Sequence, residues 1–93
     1  MISCEGDLCR LQGPITIANA TAVLAESEKL FGGTRTTVDL AGVTEVDSTA
    51  VSLLLEWRRA AARANRRIDF VNLPESLRSL ADLYGVAHLL APA

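Results

Sequence analysis

The residues that could do chemistry in this chain are few, and they gather in one place. Asp47, Ser48 and Thr49 stand in a row between two apolar runs, within VDLAGVTEVDSTAVSLLL at positions 38–55, and Ser52 follows one turn later. Three short polar side chains at the mouth of a helix have two readings. Asp47 as N-cap accepts a hydrogen bond from the backbone N–H of Thr49 or Ala50, a contribution of about 1 kcal/mol. That leaves the hydroxyls of Ser48 and Thr49 at an exposed, locally electropositive helix end, where a phosphate carrying about two negative charges is well tolerated. These residues alone leave helix cap and partner-contact point both open.

Elsewhere the inventory is thin. His88 is the only histidine and lies far in the chain from any candidate nucleophile, so nothing beyond composition supports a Ser-His-Asp arrangement. Gly32-Gly33 lacks the following lysine of a phosphate-binding loop. Cys4 and Cys9 fall short of the three or four ligands of a zinc site. No catalytic residue, metal or cofactor is expected. The arginines at 58, 59, 63, 66 and 67 have a plain account, favourable interaction with a helix C-terminus and solubility. Their functional account is contact with an acidic partner surface or anionic head groups.

Composition sets the outer limits. Ninety-three residues, 49% of them hydrophobic, suffice for one core and one domain spanning 1–93. A net charge of -2 argues against nucleic acid, which calls for a marked cationic excess. No apolar run approaches the roughly 20 residues that cross a bilayer, and MISCEGDLCR lacks the basic and apolar regions of a signal peptide. A cytoplasmic location is therefore expected. In that reducing compartment Cys4 and Cys9 are expected as two free thiols, although a hairpin turn at Gly6-Asp7 would place them opposite each other, within reach of a bridge.

The elements that must position the polar cluster follow from periodicity. Ile2–Glu5 and Leu8–Gln12 read as a hairpin around Gly6-Asp7, closed by Gly13-Pro14. From about Ile17 to Phe31 apolar residues recur at helical spacing, with Ala20, Val23, Leu24, Ser27 and Phe31 on one stripe and Gly32-Gly33 as a left-handed C-terminal cap. Thr36–Leu40 is a strand, Ala41–Val46 a loop, and a long helix runs from Asp47 to about Ala64, where Asn65 closes it. Val51, Leu54, Leu55 and Ala62 form its core stripe, with Leu53 and Trp57 on a flank that is either buried or offered to a partner. Ile68–Val71 is a further strand, and Pro74 opens a third helix carrying Leu77, Leu80, Ala81 and Tyr84, capped by Gly85. Val86–Leu90 is a last edge strand or a closing turn. Strands separated by single helices should be parallel, with one antiparallel hairpin strand added. The predicted class is α/β, a mixed and mostly parallel sheet. Because every strand alternates, its helices should lie mainly on one face.

The run VDLAGVTEVDSTAVSLLL, together with GPIT after the second strand and the tail RIDFVNLPESLRSLADLYGV, resembles the STAS domain, the fold of the anti-sigma-factor antagonists. Within it the chain is most similar to the MlaB-type branch, the small cytoplasmic subunit of the bacterial Mla phospholipid transporter that maintains outer-membrane lipid asymmetry. The resemblance implies a non-catalytic protein, peripheral to the inner membrane, that binds the transporter's ABC-type ATPase subunit and, through it, the membrane permease. It places Ser48 at the ATPase contact. In the antagonist branch it implies phosphorylation by a kinase partner at Thr49, with Ser48 adjacent. The implied contact set is Asp47, Ser48, Thr49 and Ser52, flanked by Trp57 and the arginines. The small Gly-rich step common after the hydroxyls is Ala50-Val51 here.

Overall fold

The computed structural model describes residues 1–90 of the chain. Its strands are β1 (Ile2–Glu5), β2 (Leu8–Ile15), β3 (Arg35–Val46) and β4 (Arg67–Val71). Its helices are α1 (Ala20–Leu30), α2 (Ser48–Arg63), α3 (Glu75–Leu83) and the short α4 (Ala87–Leu90). The sheet order is β1-β2-β3-β4, with β1 antiparallel to β2 and the remaining pairs parallel. Sequential strands laid down in one direction by right-handed crossovers put their helices on the same side of the sheet. The burial pattern agrees with that rule. In β2, Cys9 and Leu11 are buried while Arg10 and Gln12 are exposed, so one face carries the core and the other meets solvent.

The core is aliphatic, built from Leu11, Ile15, Val38 and Leu40 of the sheet and Leu54 and Leu77 of the helices, with Phe70 and Trp57 as its large rings. Burying a side chain of this size contributes roughly 1.5–3 kcal/mol. On the open face Asp69 lies between Arg35, at 3.8 Å, and Arg67, at 3.1 Å.

Several boundaries differ from the sequence expectation, each for a local reason. Gly13-Pro14 does not end β2. Gly13 takes φ +88° beside the second of two register shifts, at Arg10/Gln12 and Gly13/Ile15, in each of which β3 carries one more residue than β2, and the strand continues to Ile15. Likewise 41–46 is not a loop but the second half of β3, pairing through Gly42 and Val43 with Gln12 and Gly13. Gly42 permits this, because a Cβ there would lie 2.9 Å from the Leu11 carbonyl oxygen. Helix α1 begins at Ala20 rather than Ile17, since the Thr16 carbonyl accepts from both Asn19 and Ala20 and makes a turn of the intervening residues.

Gly32-Gly33 follows α1 without a left-handed φ at either glycine. The left-handed closures are instead at Asn65, φ 57°, and Gly85, φ 70°. Pro74 is the N-cap of α3, one position earlier than expected. Val86–Leu90 forms no strand; four of its residues make α4, which tucks Leu90 into the core.

The cysteines correct the expectation of free thiols. Cys4 and Cys9 are bonded to each other. They are direct cross-strand partners in the β1–β2 register, 4.0 Å apart at Cα, because the two-residue turn with Gly6 at φ +56° leaves no other alignment. Their side chains share the face of Ile2 and Leu11, beneath α1, whose Glu26 accepts from the Ile2 amide at 3.1 Å.

Candidate functional site

The long strand β3 delivers Asp47 to the point where α2 starts, and the first turn of α2 buries Ala50 and Val51 while leaving Ser48 exposed. Asp47 has extended backbone, φ -128° and ψ -172°, and its Oδ1 accepts from the Thr49 amide at 2.9 Å. The expected cap is therefore present. Its second oxygen does something the sequence did not disclose: Oδ2 accepts from the Ile17 amide at 3.0 Å, tying the turn after β2 to the helix mouth. That turn is rigid in its own right. Asn19 accepts from the Thr16 amide through Oδ1, at 2.9 Å, and donates from Nδ2 to the Pro14 carbonyl, at 2.8 Å. The amide of Ile17, then those of Thr49 and Ala50 together with the Thr49 hydroxyl, hold the Asp47 carboxyl below its ordinary value of 3.8 against the opposing effect of desolvation.

The two hydroxyls thus differ. Thr49 is half-buried and its amide donates to Asp47. Ser48 is exposed, and among the described residues its hydroxyl has no hydrogen-bond partner. Ser52, also exposed, reaches back to the Ser48 carbonyl at 3.5 Å. Ser48 and Ser52 line an open groove of about 380 Å³ with Val51, Leu55, Tyr84 and Val86. Ile17 is 80% exposed and Tyr84 51% exposed, so the polar mouth is bordered by two large apolar side chains at the surface.

Trp57 is not part of this surface. It is 4% exposed, with its indole N–H donating to Ser27 at 2.8 Å and its ring against Phe31 and Phe70. The flank of α2 that carries Leu53 and Trp57 is core, and Ala62, expected inside, is exposed. Helical spacing from the first turn rather than the last sets this: Ala50, Val51, Leu53, Leu54 and Trp57 make one buried arc. The arginines lie in the second half of α2 and just beyond it, Arg63 fifteen residues and roughly 22 Å from Ser48 along the axis. There Arg63 and then Arg59 hold the Glu56 carboxyl below its ordinary value. His88 is exposed on α4. Among the described residues no three His, Cys, Asp or Glu side chains converge on one point.

Comparison with known proteins decides the family. The family model described as "Mlab, STAS domain" matches residues 4–91. The chain belongs to this MlaB-type STAS family. Among solved structures, that of the unphosphorylated anti-sigma factor antagonist SpoIIAA is similar in fold at a TM-score of 0.71 and 20% identity, covering 95% of this chain and 82% of that one. A crystal structure of Mglu matches at a TM-score of 0.63 and 30% identity over 83% of this chain, which spans only 20% of the length of Mglu. No curated protein matches. Among the described residues no helix is long and apolar enough to cross a membrane.

The sequence singled out Asp47, Ser48, Thr49 and Ser52, and all four do meet at the helix mouth. It missed Ile17, Tyr84 and Val86. Ile17 was counted in a helix and Tyr84 in a core stripe. The one signal for Ile17 was the Thr16-to-Asn19 spacing, in which an Asn three residues after a Thr closes a turn on itself.

Proposed function

We propose that this STAS domain is the non-catalytic docking subunit of an Mla-type phospholipid transporter. In this reading it sits on the cytoplasmic side, peripheral to the inner membrane, and binds the ABC-type ATPase through the mouth of α2. Through the ATPase it supports the permease and the maintenance of outer-membrane lipid asymmetry. The observation that carries the reading is the unpartnered Ser48 hydroxyl, held at a rigid helix mouth between exposed Ile17 and Tyr84. Apolar anchors around a small polar centre are the composition of a protein-binding patch, and the match to the MlaB-type family supports the choice of partner. Asp47 positions the surface from beneath by bonding both its halves.

Capture of the ATPase by immobilised wild-type, Ser48→Arg and Thr49→Glu chains tests this. Ser48→Arg puts a long cation into the centre of the patch and should reduce capture by roughly tenfold or more. Undiminished capture by both variants would remove this surface from the account.

A second reading, an anti-sigma-factor antagonist switched by phosphorylation, draws on the same free hydroxyl and on the SpoIIAA-like fold. Exposure favours Ser48 over Thr49 as acceptor, because Ser48 is exposed and Thr49 is half-buried. Intact-mass spectrometry of the chain from its own cell should then show a phosphorylated form mapping to Ser48. Its absence across growth conditions would leave the transporter reading.

A further inference from the structure

At the end of α2 opposite the helix mouth, a cavity of about 340 Å³ opens between the last turns of α1 and α2 and the start of β4. Leu24, Phe31, Trp57 and Ile68 form its floor, with Ala61 beside them. The rings of Phe31 and Trp57 meet edge to face with centroids 5.1 Å apart. The polar groups beneath those rings are already used. Trp57 Nε1 donates to Ser27 Oγ at 2.8 Å, and that hydroxyl donates to the Leu24 carbonyl at 2.6 Å. The rings leave no donor or acceptor free, and Thr36 adds a single hydroxyl to the lining beside them, so the inserted part of a ligand must be mostly apolar.

The mouth of the cavity has the opposite character. Arg63, Arg66 and Arg67 line it against Glu28 and Glu56, a local cationic excess on a chain whose net charge is -2. Each guanidinium spends only part of its five donors: Arg63 on Glu56 at 3.2 Å, Arg66 on the Phe31 carbonyl at 3.0 Å, and Arg67 on Asp69 at 3.1 Å. The carbonyl contact fixes Arg66 over the aromatic floor and leaves the rest of its fork for an anion.

We propose that this cavity binds a small anionic amphiphile, a carboxylate or phosphate monoester on a single short apolar chain. The chain lies on the Phe31–Trp57 floor and the head group on Arg63 and Arg66. Size and charge select this class. A volume near the lower end of the roughly 300–1,000 Å³ typical of ligand pockets admits one short chain. The guanidinium rim selects an anion over a cation or a neutral alcohol. A bare anion gains little from arginines this exposed, since solvent screens them, so the apolar floor has to contribute. The site is separate from the proposed docking surface, and neither depends on the other.

Trp57 is the only tryptophan in the chain, so its emission reports on the cavity directly. The intact chain is titrated with decanoate below its micelle concentration, with decanol, decylammonium and inorganic phosphate as parallel arms. Decanoate should give a saturable change, with an affinity at least about fivefold tighter than decanol; decylammonium and phosphate should give none. Arg66→Gln should lose about the same factor, and Ala61→Phe, which fills the cavity, should abolish the response. Amide shifts in the wild-type chain at 27–31 and 57–68 on adding decanoate locate the site without any variant. The proposal is overturned by no saturable response, by an equal response to decanol or decylammonium, by binding of phosphate alone, or by shifts that map elsewhere.

Discussion

Asp47 is the residue on which the helix mouth depends, because one carboxylate serves two segments thirty residues apart. Removing it in Asp47→Ala leaves the amides of Ile17 and Thr49 without their acceptor and should lower the midpoint of chemical denaturation, as the loss of an N-cap does. Its acid limb has a definite sign. A carboxyl held below its ordinary value in the folded state contributes stability above the unfolded-state pKa, and that contribution is lost as pH falls through the folded-state pKa. Denaturation midpoints followed downward from about pH 4 should fall more steeply for wild type than for Asp47→Asn, whose amide cannot titrate. Ser27 is the corresponding residue inside the core. At 1% exposure it accepts the Trp57 indole N–H at 2.8 Å, the one acceptor of that group among the described residues, so Ser27→Ala strands a buried donor. The expected cost is about 1–3 kcal/mol, again readable in a denaturation midpoint. Ser27 was legible as a member of the α1 stripe. Its bond to Trp57, thirty residues on, was not, since helical spacing carries no information about which helix faces which.

Among the elements, β3 and the β1–β2 hairpin show where sequence and fold part company. Alternation correctly located strands at 36–40 and 68–71, but Gly13-Pro14 was read as a stop and 41–46 as a loop, where two register shifts that each give β3 one extra residue let both strands continue. Only the neighbouring strand determines that, and Gly42 shows why. A methyl group there meets the Leu11 carbonyl at 2.9 Å, a rigid backbone atom, so Gly42→Ala must push β2 and β3 apart. It should cost about 1–3 kcal/mol, and amide exchange should accelerate at Gln12 and Val43 first. In the hairpin, the turn fixed Cys4 opposite Cys9 and thereby their bond, while the free-thiol expectation came from an assumed compartment rather than from the chain. Closing so short a loop contributes about 2 kcal/mol on chain-entropy grounds. The double variant Cys4→Ser with Cys9→Ser should lose about that much, and β1 should be the first strand to exchange.

At the scale of the molecule, the order of strands and helices up to α3, the parallel crossovers and the one-sided placement of the helices were readable in the sequence, because they follow from periodicity and chain connectivity. The polar half of the proposed docking surface, the cluster at the mouth of α2, follows from the same periodicity. Its apolar rim does not, because it is assembled from the turn after β2, the start of α2 and the residues after α3, which only tertiary packing brings together. That assembly also separates two ends of the molecule with different chemistry. The helix mouth has a free hydroxyl among exposed apolar side chains; the far end of α2 has arginines over an aromatic floor. The central claim is that the ATPase engages the first end. Hydrogen exchange of the chain alone and bound to its ABC-type ATPase tests this most directly. Protection should appear at 15–18, 47–55 and 84–86, with 59–70 unchanged. Protection confined to 59–70, or none at the helix mouth while the complex holds together, would contradict it.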